Sequence, residues 1–190
     1  MKILLASKSP RRRQLLQSLG FPFECVSAEV DESVDTSTPP HLVAQTIASK
    51  KADAFPVDNL AADEVLLAAD TVVVHRDTVL GKPADRDAAV AMLRSLSADC
   101  HKVYTGVCLR SASLQYAFTE CTSVYFRPLS EDDIAFYVDS FHPFDKAGAY
   151  GIQEWIGMVG VDRIDGCFYN VMGLPTARLY EVLTSRFSSR

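Results

Sequence analysis

No apolar run in these 190 residues approaches the roughly 20 needed to cross a bilayer. The N-terminus has only Ile3-Leu4-Leu5-Ala6 before polar residues, too short for the apolar region of a signal peptide. Cysteine is sparse: the five (Cys25, Cys100, Cys108, Cys121, Cys167) are odd in number and show no C-x-x-C spacing. That disfavours a disulfide framework or a structural zinc site and points to a reducing compartment. The four histidines are scattered, with no H-E-x-x-H pair. Positive charge is also short, 19 Lys and Arg against 24 Asp and Glu, so the net charge of −5 offers no general basic field for nucleic acid. A 48% hydrophobic content excludes a disordered chain. The expectation is a soluble, cytoplasmic protein bound to neither membrane nor nucleic acid. It is long enough for one compact domain or two lobes sharing a sheet. With no repeat, low-complexity tract or linker, residues 1–190 read as a single domain.

Several nucleotide and hydrolase signatures are missing too. There is no G-x-x-x-x-G-K-[ST] and no G-x-G-x-x-G after a strand, which argues against a P-loop NTPase and a Rossmann dehydrogenase. No G-x-S-x-G elbow supports a serine hydrolase. A phosphoaspartyl phosphatase wants a second aspartate two residues after the first, and Val72 occupies that position after Asp70.

What is present begins with Ser7-Lys8-Ser9-Pro10-Arg11-Arg12-Arg13. It follows an apolar strand, Ile3 to Ala6, and precedes a helix with Leu15, Leu16 and Leu19 on one face and Gly20 at its end. Ser9 suits the N-cap and Pro10 the first helical position. Three arginines in the first turn oppose the helix dipole by a few tenths of a kcal/mol each. An anion held by backbone N–H groups, serine hydroxyls and guanidinium groups would turn that conflict into attraction. A solvated basic turn is the competing reading.

Further along, Phe21 to Val26 reads as a strand running on into Ala28-Glu29-Val30-Asp31-Glu32-Ser33, and Pro40 to about Phe55 as a helix. Lys51 continues that helix's Val43–Ile47 stripe, either snorkelling from the apolar face or directing its ammonium into a cleft. Val65 to His75 reads as a central strand buried on both faces, with Asp70 in its middle. A buried lone carboxylate must neutralise, pair or bind a cation. Gly81-Lys82-Pro83 holds one charge in a fixed turn, and Asp85 caps a helix through Leu96. Val103 to Leu109 and Tyr116 to Arg127 form a hairpin, and Ser130 to Asp133 starts a helix ending near Val138. Asp145 to Gln153 is a glycine-containing loop carrying Lys146. Met158 to Ile164 and Cys167 to Val171 read as a closing hairpin around Asp165-Gly166. A last helix begins at Gly173-Leu174-Pro175.

The carboxylates Glu32 and Asp70, with the cations Arg11, Arg12, Lys51, Lys82 and Lys146, suit a metal–triphosphate complex. The series Ala6-Ser7-x-Ser9-Pro10-x-Arg12, Asp31-Glu32, Lys51-Ala52, Ala69-Asp70-Thr71, Gly81-Lys82-Pro83, Tyr104-Thr105-Gly106, and Asp145 through Gln153 resembles the Maf family of nucleoside triphosphate pyrophosphatases. Each element is weak alone; seven in order across almost the whole chain are specific. The resemblance implies an α/β fold with a long mixed sheet, and helices forming two lobes around a cleft, similar to inosine triphosphate pyrophosphatases and commonly homodimeric. It implies cleavage of a nucleoside triphosphate between its α and β phosphates with a divalent metal, Mg²⁺ or Mn²⁺. By the same resemblance Asp70 activates water or holds the metal, Glu32 helps hold the metal, and Ser7, Ser9, Arg12, Lys51 and Lys82 bind the triphosphate.

The subfamily follows from three positions. Maf proteins acting on 7-methyl-GTP have tryptophan, glutamine and glutamate where this chain has Arg11, Thr71 and Gln153, the combination associated with dTTP and UTP. An amide such as Gln153 can both donate and accept, matching the O4 and N3–H edge of uracil or thymine. A cationic methylated guanine instead favours aromatic stacking and a carboxylate. One departure is Glu154-Trp155, where small residues are more usual, and it bears on the mouth of the base pocket. Two other readings of the chain are a nucleotide-sensing regulator linked to septum formation and a 7-methyl-GTP pyrophosphatase.

Overall fold

β-Branched and leucine-rich runs with no polar interruption can satisfy their backbone only inside a covered sheet, and the molecule is built on one. The computed structural model describes residues 1–27 and 29–187. Seven strands, β1 (Lys2–Ala6), β2 (Phe23–Cys25), β3 (Glu64–His75), β4 (Thr78–Leu80), β5 (Cys100–Arg110), β6 (Gln115–Phe126) and β7 (Val161–Asp165), form a mixed sheet. Its order is β2-β1-β3-β5-β6-β7, with β4 paired to β3. β1 runs parallel to both β2 and β3, in register Ile3 with Phe23 and Leu4 with Leu66. β4 and β7 run antiparallel to β3 and β6. The helices are α1 (Pro10–Ser18), α2 (Pro40–Asp53), α3 (Arg86–Leu96), α4 (Glu131–Phe141), α5 (Trp155–Gly160), α6 (Phe168–Met172) and α7 (Thr176–Val182).

The chain divides into two compact units. The first takes Met1–Asp70, Thr105–Glu120 and the residues from Gly173 onward, and buries Leu4, Ala48, Leu66, Ala68 and Cys108 together. Its α2 lies against β5 so closely that a Cβ at Gly106 would sit 2.2 Å from the Gln45 amide nitrogen. Only glycine lets the two backbones approach this far. The Arg110 guanidinium donates to the Ala52 carbonyl at 3.1 Å, a cation at the helix C-terminus where the dipole favours it. The second unit takes Thr71–Tyr104 and Cys121–Met172, with Val73, Leu93, Phe126, Ile134, Tyr137 and Ile156 in its core.

Caps sit where the side chains predict them. Ser9 and Asp85 cap α1 and α3, and Ser130 with Asp133 closes a capping box on α4. Several boundaries move: β2 keeps three residues, α2 stops at Asp53, β5 begins at Cys100, and α4 continues to Phe141. Ala28, on the expected path of the second strand, lies outside the described residues.

One expectation fails. Met158–Ile164 and Cys167–Val171 do not form a hairpin, because the first of these segments is the end of helix α5 running into β7 and the second is largely α6. β7 pairs instead with β6, Val124 opposite Ile164. Gly166 does turn the chain, at φ +126°. The residues beyond it are captured by the sheet, with the Cys167 N–H donating to Thr122 Oγ1 at 3.0 Å and the Asn170 amide to the Val103 carbonyl at 3.0 Å. An available edge on β6 outweighs the local turn signal.

Candidate functional site

In the first unit, four segments bring polar groups onto the end of an otherwise apolar sheet. β3 is buried from Val65 through Ala69 and again from Val72; inside it Asp70 and Thr71 are partly exposed. The Lys51 ammonium, from the last turn of α2, donates to Asp70 Oδ1 at 2.8 Å and lies 2.7 Å from Glu32 Oε1. Lys51 is buried, so its side chain turns inward to two carboxylates rather than snorkelling to water. Glu32 reaches it from a loop that has its own tether. Asp31 accepts from the Ser33 N–H at 2.9 Å and its hydroxyl at 2.6 Å, which holds the Asp31 carboxyl below its ordinary range. Lys50 donates to the Ser33 carbonyl at 2.6 Å and binds that loop to α2.

The start of α1 adds the remaining groups. Ser7 Oγ accepts from the Ser9 N–H at 3.2 Å and from the Arg12 guanidinium at 3.4 Å, and Ser9 Oγ accepts from the Arg12 N–H at 3.4 Å. Each hydroxyl acts as acceptor there, which leaves its O–H hydrogen as a donor for a ligand oxygen. Arg12 Nε donates to the Gly173 carbonyl at 2.8 Å. Burial lowers the Arg12 pKa most strongly; the field of Asp70 raises it, that of Arg11 lowers it, and that of Glu32 raises it. A guanidinium stays charged throughout. Ser7, Ser9, Arg11, Arg12, Glu32, Lys51 and Asp70 therefore all belong to this unit.

Thr71, Lys82 and Gln153 belong to the second unit. Lys82 is exposed, on a turn anchored by buried Pro83 and by a hydrogen bond from the Gly148 N–H to the Gly81 carbonyl at 3.1 Å. Gly148 has φ +68° and a Cβ there would lie 3.0 Å from the Val73 side chain, so the turn over β3 requires glycine. Gln153 is exposed, and next to it Glu154 enters a network that sequence reasoning missed. Lys146 Nζ, buried, lies 2.7 Å from Asp145 Oδ1 and 3.1 Å from Glu154 Oε1. The Tyr137 hydroxyl donates to the other Glu154 oxygen and accepts from the Gly151 N–H at 3.0 Å. Tyr137 occupies an apolar helix position without breaking the pattern, so nothing local announces its hydroxyl's role.

Metal binding can be tested on the donor set. Among the described residues no group of three or more His, Cys, Asp or Glu is placed to hold a metal ion. Mg²⁺ needs no such cage, since it is held by one or two carboxylates, waters and substrate phosphates. Glu32 and Asp70 already converge on a cation, the Lys51 ammonium. These two hard-oxygen ligands fit a divalent metal.

A family model described as Maf-like protein matches residues 2–186. The chain belongs to the Maf-like family. A protein named dTTP/UTP pyrophosphatase from Parabacteroides distasonis is 48% identical over 183 residues, covering 96% of this chain and 94% of that one. Another of that name from Carboxydothermus hydrogenoformans is 48% identical over 188 residues, covering 96% and 97%. The solved structure of the Staphylococcus aureus Ham1 protein aligns over 97% of this chain and 98% of that one, at 13% identity and a TM-score of 0.49. Membership of the Maf-like family rests on the sequence matches alone. Among the described residues no helix is long and apolar enough to cross a membrane.

Proposed function

We propose that this Maf-like chain hydrolyses dTTP and UTP to the nucleoside monophosphate and pyrophosphate, with a divalent cation. The observation that carries this reading is the Lys51 ammonium between Asp70 and Glu32, in the unit that also holds Ser7, Ser9 and Arg12. Relatives named for this activity support it over nearly the whole chain. Asp70 is assigned the proton of the attacking water, being a carboxylate set within an apolar strand. Arg12 and Lys51 neutralise non-bridging phosphate oxygens, and the Ser7 and Ser9 hydroxyls donate to them. Lys82 is assigned to the triphosphate as well. Water adds at the α phosphorus, the bond to the bridging oxygen breaks, and pyrophosphate leaves. Glu32 and Asp70 would hold Mg²⁺ or Mn²⁺, which when bound supplies Lewis-acid polarisation of a phosphoryl oxygen and a more acidic water. Arg11, Thr71 and Gln153 are assigned to base selection, with Gln153 reading the O4 and N3–H edge of uracil or thymine.

The test is product analysis with Mg²⁺ or Mn²⁺ and separate dTTP, UTP, CTP, dGTP and 7-methyl-GTP. Monophosphate and pyrophosphate from dTTP and UTP are expected. Asp70→Asn should bind nucleotide and lose roughly 10²- to 10⁴-fold in kcat. Orthophosphate plus diphosphate overturns the cleavage position, and turnover of 7-methyl-GTP alone overturns the base assignment. Nucleotide binding without turnover, for the wild type under either metal, replaces the enzyme with a regulator.

A further inference from the structure

We propose that Tyr137 and Glu154 are positioning residues that clamp both ends of the turn presenting Gln153, and so set the choice of uracil or thymine over cytosine. This rests on the reading of Gln153 as the residue facing the base. The turn runs from Gly151 to Glu154 and is closed by the Glu154 N–H donating to the Gly151 carbonyl at 3.0 Å, with Ile152 and Gln153 at its centre. Ile152 points into the core and is buried, whereas Gln153 is exposed. The two end residues are joined a second time through one side chain. The Tyr137 hydroxyl accepts from the Gly151 N–H at 3.0 Å and donates to the Glu154 carboxylate. The remaining Glu154 oxygen meets the buried Lys146 ammonium at 3.1 Å, and Lys146 is held in turn by Asp145 at 2.7 Å.

The turn is closely packed on both sides. A Cβ at Gly151 would lie 2.9 Å from both Gln153 Nε2 and the Glu154 carboxyl carbon. One at Gly157 would lie 1.8 Å from the Ile152 carbonyl oxygen, so α5 follows directly on the turn. Burial and the Glu154 carboxylate raise the Tyr137 pKa above its ordinary value, which keeps its O–H a donor.

Why such a clamp matters follows from the chemistry of an amide. Gln153 can offer its oxygen to N3–H and its nitrogen to O4 of uracil; turned end over end it offers the reverse pair to cytosine. The amide discriminates only if its placement is fixed against one base edge. A side chain on a loose turn would read both pyrimidines. Glu154, the residue at which this chain departs from the usual small residue, supplies the fixed point.

The experiment measures kcat/KM for UTP and for CTP in the wild type, Tyr137→Phe, Gln153→Ala and the double variant. Tyr137→Phe keeps the ring that fills the core and removes only the hydroxyl. Its UTP-to-CTP ratio should fall about 10-fold, and the double variant should be no less selective than Gln153→Ala alone, because Tyr137 acts through Gln153. General damage to the fold lowers both substrates together and leaves the ratio unchanged. Should Tyr137→Phe fail to fold, Glu154→Ala is expected to lose the ratio, and Glu154→Gln, which keeps an acceptor for Lys146, to recover part of it. A ratio within two-fold of wild type in Tyr137→Phe, or additive losses in the double variant, overturns the clamp while leaving the enzyme assignment intact. A wild type that hydrolyses neither pyrimidine, or shows no preference for UTP, overturns the reading of Gln153 and the clamp with it.

Discussion

Replacing Lys51 by methionine separates the structural from the chemical part of the site. Methionine fits the volume of the lysine stem, so the change removes a cation and little else. In the wild type the ammonium lies 2.8 Å from Asp70 and 2.7 Å from Glu32, so the two carboxylate oxygens are at most about 5.5 Å apart. Unit charges at that separation repel by about 3 kcal/mol at an effective dielectric of about 20. Asp70 is 16% exposed and carries most of this cost, whereas Glu32, at 54%, can swing into water and relieve part of it. Adding the loss of a partly buried ion pair gives a net destabilisation of about 3 kcal/mol. In a chain of this length that lowers Tm by roughly 6–12 °C. Calorimetry at pH 7 in the presence of chelator is the assay. The double variant Lys51→Met/Asp70→Asn should recover at least half of the loss, since it no longer opposes two charges. Millimolar Mg²⁺ should raise the Tm of Lys51→Met more than that of the wild type, because the Lys51 ammonium no longer competes for the two carboxylates. A Lys51→Met variant melting within 2 °C of wild type without metal would refute the ion-pair account of this cluster.

Gly106→Ala places a Cβ 2.2 Å from the Gln45 amide nitrogen, so α2 must move off β5. A loss of about 3 kcal/mol in urea unfolding is expected, together with a raised KM for nucleotide because Lys51 rides on that helix. A melt unchanged from wild type would mean the backbones are not in contact there. His101 gives the pH dependence: it is buried, its Nε2 is 2.6 Å from the Tyr150 hydroxyl, and burial lowers its pKa to about 4, with the field of His75 adding to the effect. The unfolded imidazole takes a proton below about pH 6.5 and the folded one only below about 4. Stability is therefore whole above about pH 6.5 and declines as pH falls to about 4, by about 3 kcal/mol in all. Urea midpoints at pH 7 and pH 4.5 should show this slope, and His101→Phe should flatten it; equal slopes in the two proteins exclude His101 as the source.

The first unit was legible because each of its groups breaks a local pattern. Asp70 interrupts an apolar strand, Lys51 sits on the buried stripe of α2, and arginines crowd a helix start. Such violations can be seen in a window of ten residues, and the structure gathers them at one end of the sheet. The second unit was opaque for the opposite reason. Tyr137 obeys the apolar periodicity of α4, and its hydroxyl meets Glu154 seventeen residues later. Glu154 stood out in the sequence as a departure from small residues, with no sign that its carboxylate turns inward. The β7 error has a similar origin: Asp165-Gly166 is a sound hairpin turn, yet β6 lies far away in sequence and offers the better partner.

The arginines at the start of α1 would be weak support for a phosphate site if the dipole conflict were all they presented. Part of that conflict is already relieved within the protein, since Arg12 donates to the Gly173 carbonyl and lies in the fields of Asp70 and Glu32. The stronger support comes from the placement of Lys51. The Lys51 ammonium donates to Asp70 Oδ1 at 2.8 Å and lies 2.7 Å from Glu32 Oε1, so one cation sits at the point where both carboxylates meet. The two carboxylates, meanwhile, can serve Lys51 or a metal but cannot hold both as closely. If Glu32 and Asp70 turn to a divalent cation, Lys51 loses the pairing they gave it, and a polyphosphate oxygen becomes a natural replacement. The proposed function therefore expects metal and nucleotide to bind with positive coupling through Lys51. On the proposed function, the buried ammonium between the two carboxylates is the group that would hold them in place without substrate and pair with phosphate oxygens when it binds.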